Sequence, residues 1–121
     1  MNIAKMNIAN GGSDFMVSQW IEVADINDFN QSNKKVVRIN NDLEVLIIKV
    51  KDSFFAVENR CSHDEKPLDS GKIVDEKVIE CNYHGARFDI TTGKALKMPA
   101  VAPINIFKTK VENQKIYILL D

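Results

Sequence analysis

Every cysteine and every histidine of this chain falls in two short stretches, Cys61-Ser62-His63 and Cys81-Asn82-Tyr83-His84. The pattern is C-x-H, seventeen residues, then C-x-x-H. Thiolates are soft ligands and imidazoles suit the same class of transition metals, so two matched Cys/His pairs make a metal-ligand set. Such a set constrains the fold more than anything else in the chain, because both stretches must be brought to one place.

Three chemistries use these residues. A disulfide between Cys61 and Cys81 needs an oxidising compartment and leaves both histidines without a role. Structural zinc accepts two thiolates and two imidazoles, but its paired ligands usually stand two or more residues apart, and the gap in C-x-H is one. An iron–sulfur centre in which a pair of histidines replaces a pair of cysteines uses all four.

A length of 121 residues allows one domain, which at this size buries roughly two-thirds of its unfolded surface. Its 45% hydrophobic and 27% charged residues are ordinary for a soluble globular chain, and a net charge of −1 gives no electrostatic case for nucleic acid or an anionic membrane. Apolar runs such as Val45-Leu46-Ile47-Ile48 are far short of the roughly 18 residues of a membrane span. Asn2, Lys5, Asn7 and Asn10 interrupt any signal-peptide core, so a cytoplasmic location is expected. Met1-Asn2-Ile3-Ala4 repeats as Met6-Asn7-Ile8-Ala9 before Asn10-Gly11-Gly12-Ser13. Residues 1–17 therefore read as a flexible lead-in, and residues 18–121 as the domain.

From Trp20 the pattern is one of short strands and turns. Trp20-Ile21-Glu22-Val23 reads as a strand, and Asp25 as the cap of a single helical turn ending at Phe29. Residues 35–39 are β-rich, Asn40-Asn41-Asp42 is a turn, and residues 43–50 are apolar enough for a strand buried on both faces. Phe54-Phe55-Ala56-Val57 returns as its hairpin partner. Lys72-Ile73-Val74 and Lys77-Val78-Ile79 flank Asp75-Glu76 as a tight hairpin that folds the two Cys/His stretches back to one end. Residues 104–111 and 115–120 are expected to form a last hairpin, with Asn113 taking positive φ. The spacing predicts an all-β sandwich or barrel.

Further residues surround the ligand set. Gly85 follows the last histidine, Pro67 follows the first stretch, and Phe88-Asp89-Ile90-Thr91-Thr92-Gly93 reads F-D-x-x-T-G. Together these residues resemble the Rieske [2Fe–2S] family over roughly residues 20–120. The resemblance implies an antiparallel β sandwich or barrel with a small cluster-binding subdomain at about residues 60–100. It implies one [2Fe–2S] cluster, with Cys61 and Cys81 on the buried iron and His63 and His84 on the iron near solvent. It further implies that Met98-Pro99-Ala100-Val101-Ala102-Pro103 covers the cluster, and that Gly85 lets backbone pass close to it.

Within that family, high-potential members carry an additional cysteine in each loop, joined as a disulfide. The matching neighbourhoods here are Asp64-Glu65-Lys66 and Asn82-Tyr83. Ala86 and Phe88 stand where those members place a Ser and a Tyr hydroxyl, so the pattern resembles the low-potential soluble ferredoxins. The implied function is one-electron carriage from a reductase to an oxygenase or similar acceptor, without catalysis of its own. A small subunit of a larger oxidoreductase such as nitrite reductase is the alternative. A catalytic oxygenase needs two more histidines and a carboxylate on a mononuclear iron, and the chain has no histidine to spare. Arg60, Lys66, Arg87, Lys94 and Lys97 mix with Asp64, Glu65 and Asp69, so no single sign of charge marks a docking face.

Overall fold

The computed structural model describes residues 18–62, 65–98 and 102–120. The expected lead-in at residues 1–17 lies outside the described residues, as do His63, Asp64, Pro99, Ala100 and Val101.

β1 (Gln19–Asp25) runs into one 3-10 turn (Ile26–Phe29). Asp25 caps this turn as its sequence suggests, accepting the Asn27 amide at 2.9 Å, while the Asp28 carboxylate accepts the Asp25 amide at 3.0 Å. β2 (Lys34–Asn40), β3 (Leu43–Val50) and β4 (Ser53–Glu58) then form an antiparallel meander. Four short strands follow: β5 (Lys72–Ile73), β6 (Val78–Glu80), β7 (Arg87–Asp89) and β8 (Ala95–Lys97). The chain ends with β9 (Ile106–Phe107), β10 (Thr109–Glu112) and β11 (Lys115–Leu120). Three antiparallel sheets result, ordered β1-β11-β10, β2-β3-β4-β9 and β5-β6-β7-β8.

The middle of β3 is buried on both faces, and strand alternation explains how. Successive side chains point to opposite faces. Leu46 and Ile48 of β3, with Val57 of β4, therefore join one apolar cluster that also holds Cys61, Leu68, Ile79, Cys81, Ala86, Phe88 and Ile90. Val45 and Ile47, with Ala56, face the other way against Val23, Phe29, Ile116 and Ile118. Val45, Leu46, Ile47 and Ile48 are all fully buried, as the unbroken apolar run predicts.

Two expectations are corrected. Residues 104–111 are not one strand. β9 pairs with β4, the chain breaks at Lys108, and β10 pairs with β11 in a different sheet. At this corner the Thr109 hydroxyl donates to the Phe54 carbonyl at 2.8 Å and the Leu119 amide to the Lys108 carbonyl at 3.0 Å, so tertiary bonds make a bend that no glycine or proline marks. The β5–β6 connection is also longer than Asp75-Glu76. Val74 and Lys77 belong to it, the Val74 amide bonds the Val78 carbonyl, and Glu76 takes φ +58°. The last hairpin turns as expected at Asn113, where Gln114 shares the positive φ (52° and 68°), the backbone of a two-residue I′ turn.

Candidate metal centre

The first cysteine stretch leaves the end of β4, and the second is the loop between β6 and β7. The two loops share one backbone scheme. The Cys61 amide donates to the Lys66 carbonyl at 2.7 Å and the Glu65 amide to the Cys61 carbonyl at 2.7 Å. In the second loop the Cys81 amide donates to the Ala86 carbonyl at 2.7 Å and the Gly85 amide to the Cys81 carbonyl at 3.1 Å. Each cysteine carbonyl thus accepts the amide four residues later, and that residue has positive φ in both: Glu65 at 64° and Gly85 at 78°.

Gly85 is explained by that φ. A Cβ there would meet no protein atom within 4 Å, so among protein atoms it is the left-handed backbone and not crowding that favours glycine. Close approach acts at Gly71 instead, where a Cβ would collide with the Glu80 carbonyl. That contact lays the return of the first loop directly on the strand that leads into Cys81.

The first loop is anchored by Asn59, a buried polar side chain. Its amide nitrogen donates to the carboxylates of Glu44 and Asp69, each at 3.1 Å, and its oxygen accepts the Leu68 amide at 2.9 Å. Lys34 reaches in from β2 and donates to the carbonyls of Asp69 and Gly71. Burial pushes the Lys34 ammonium below its usual pKa, partly offset by the Asp69 charge. The second loop is closed at its base by the Glu80–Arg87 pair at 2.9 Å, and the Arg87 hydrogen bond holds the Glu80 carboxyl below its usual range.

Cys61 and Cys81 are both buried thiols in the same apolar cluster, 0% and 2% exposed, whereas His84 is exposed on the surface of its loop. The structure therefore places both cysteines in one apolar cluster and His84 on the exposed part of the loop that Cys81 opens, and His63 lies outside the described residues. Buried sulfurs beneath an outward imidazole fit a group with an inner thiolate-held iron and an outer imidazole-held one. Among the described residues no three His, Cys, Asp or Glu side chains gather around a single-ion position. A two-iron group asks for two protein ligands per iron, so it does not require such a gathering.

Sequence reasoning missed several contacts that bind the loops together. The Ser62 hydroxyl, between Cys61 and His63, donates to the Ala102 carbonyl at 2.5 Å, tying the first loop to the segment expected to cover the site. The Lys66 ammonium sits 5.3 Å from the centre of the Tyr83 ring, joining first loop to second. This contact lies in the two neighbourhoods matched to the extra cysteines of high-potential members. Asn59 had a legible signal, a polar residue placed two before Cys61 and two after the fully buried Val57.

The model of the Rieske [2Fe–2S] domain matches residues 19–108. The chain belongs to the Rieske [2Fe–2S] family. It is 29% identical to the ferredoxin component of the naphthalene 1,2-dioxygenase/salicylate 5-hydroxylase systems of a Ralstonia species, over 88% of this chain and all of that protein. It is 33% identical to the 3-phenylpropionate/cinnamic acid dioxygenase ferredoxin subunit of Escherichia coli K12, over 69% of this chain and 79% of that one. Among solved structures it matches the ferredoxin of carbazole 1,9a-dioxygenase from Nocardioides aromaticivorans IC177 with a TM-score of 0.74 and 30% identity, over 82% and 95% of the two chains. This Rieske chain is an electron carrier, not a catalyst, and its cofactor is a [2Fe–2S] cluster of the type held by two Cys and two His. No helix among the described residues is long and apolar enough to cross a membrane.

Proposed function

We propose that this protein is the cytoplasmic ferredoxin component of an aromatic-ring dioxygenase type of system, taking one electron at a time from a reductase and giving it to a terminal oxygenase. The observation that carries the reading is the pairing of two buried sulfurs in one apolar cluster with an exposed histidine on the loop of the second. The three relatives named above, each the ferredoxin of a dioxygenase system, support the choice of partners. Cys61 and Cys81 would hold one iron of the cluster, and His63 and His84 the other, within a cluster-binding unit of about residues 60–100.

When bound, the cluster supplies reversible exchange of a single electron. The chain decides how easily and where. Burial of Cys61 and Cys81 among Leu46, Val57, Leu68, Ile79 and Phe88 keeps water from the sulfurs, and the outward placement of His84 leaves a short path to a partner's surface. Ala86 and Phe88, both fully buried beside the cysteines, offer no hydroxyl to a sulfur, which keeps the added electron less stabilised.

Anaerobic mixing of the reduced protein with an oxidised Rieske oxygenase tests the reading. The visible spectrum should return to the oxidised form as one electron per chain passes to the oxygenase. A reduced protein that no such oxygenase reoxidises, yet that a nitrite or sulfite reductase does, would overturn the choice of acceptor.

A further inference from the structure

We infer that Lys66 and Tyr83 form a noncovalent clasp between the two ligand loops, and that opening this clasp limits how fast the cluster is lost. The inference rests on the ligand assignment above. One residue, Lys66, carries both halves of the connection. Its carbonyl accepts the Cys61 amide at 2.7 Å, and its side chain lies over the ring of Tyr83, between Cys81 and His84 in sequence. A separation of 5.3 Å is inside the roughly 6 Å at which an ammonium is attracted to an aromatic face.

Tyr83 is 47% exposed, so burial gives little reason for an aromatic residue at that position. Its ring does have a use as the flat, electron-rich surface that a cation from the other loop can grip. The backbone leading into Lys66 is held on both sides, by the Glu65 amide on the Cys61 carbonyl and by the Cys61 amide on the Lys66 carbonyl. The Ser62 tie to Ala102 runs to the third loop and does not bridge the two cysteines. Parting the loops to expose the sulfurs therefore requires Lys66 and Tyr83 to separate.

The test measures cluster release from the holoprotein under challenge by an iron chelator, followed by loss of visible absorbance. Lys66→Met keeps the aliphatic stem and removes the cation, and Tyr83→Leu removes the ring. Each should speed release about two- to fivefold, the size of an exposed cation–π contact. The double variant should be no faster than the faster single, because both remove one interaction. Lys66→Arg and Tyr83→Phe keep cation and ring face and should release at the wild-type rate. Singles at the wild-type rate with the cluster in place would overturn the clasp and leave the ligand assignment standing, as would effects that add in the double. Tyr83→Phe as fast as Tyr83→Leu would likewise overturn it, by pointing to the hydroxyl. Wild-type protein without iron–sulfur absorbance would overturn both.

Discussion

Glu65 and Gly85 occupy equivalent places in two loops twenty residues apart: each is the fourth residue after a cysteine, donates its amide to that cysteine's carbonyl, and takes positive φ. One loop meets the conformation with glycine and the other with a residue that pays for its Cβ. Gly85→Ala is expected to cost about 1 kcal/mol from backbone strain alone, since its Cβ would enter open space. Glu65→Gly should change stability by less, because relief of strain is offset by a freer unfolded chain. Chemical denaturation of the two variants checks the asymmetry, and equal losses would contradict it.

Asn59 should be the most sensitive polar position near the site. Asn59→Leu keeps the volume but strips the donors from Glu44 and Asp69 and the acceptor from Leu68. The expected loss is about 1.5–3 kcal/mol, that of hydrogen bonds to charged groups. Asn59→Asp should be worse, because it sets a third carboxylate between the two. Urea midpoints read both, and an Asn59→Asp protein as stable as wild type would contradict the assignment.

The Glu80–Arg87 pair gives the base of the second loop an acid dependence. The Glu80 carboxyl is lowered from its usual 4.5, first by the Arg87 hydrogen bond and further by the charges of Arg87, Lys72 and Lys97. Folding therefore favours its ionised form. The stabilisation is complete above pH 4.5 and is lost as pH falls through the lower folded value. Glu80→Gln should be less stable than wild type at pH 7, with the gap closing below pH 4.5. Strand signal in circular dichroism during denaturation, measured across that range, checks it; a gap independent of pH would contradict the linkage.

Much of this was legible in the sequence because the signals were local. The cap at Asp25, the apolar run of β3 and the turn at Asn113 each rest on neighbouring residues. The two Cys/His stretches stood out as a candidate set because four rare residues stand alone in the chain. The corner at Lys108 was not, since strand-forming residues continue through it and only partners from other sheets bend the chain. β7 and β8 were hidden inside a loop motif because three residues are too few to show a period. The Lys66–Tyr83 and Ser62–Ala102 ties depend on how three loops meet, which spacing does not encode.

Ala86 and Phe88 set the expected potential. With neither side chain able to donate to sulfur, the midpoint should lie in the lower half of the Rieske range of roughly −150 to +300 mV. Ala86→Ser and Phe88→Tyr should together raise it by several tens of millivolts, taking about 1 kcal/mol per hydrogen bond and about 59 mV per tenfold for one electron. Both side chains are fully buried, so the new hydroxyls are kept from water, and the shift requires that they reach sulfur. Voltammetry at neutral pH measures both values, and a wild-type midpoint above about +200 mV, in the upper part of that range, would contradict the account.

The central claim is that two cysteines and two histidines hold one redox-active [2Fe–2S] cluster. Iron quantification combined with low-temperature EPR, on protein made under anaerobic, iron-replete conditions, tests it most directly. About two irons per chain are expected for a [2Fe–2S] centre. The oxidised protein should be silent, and a rhombic signal should appear on uptake of one electron and vanish in Cys81→Ser. Stoichiometric zinc without iron, or a Cys81→Ser protein that keeps the wild-type signal, would contradict it.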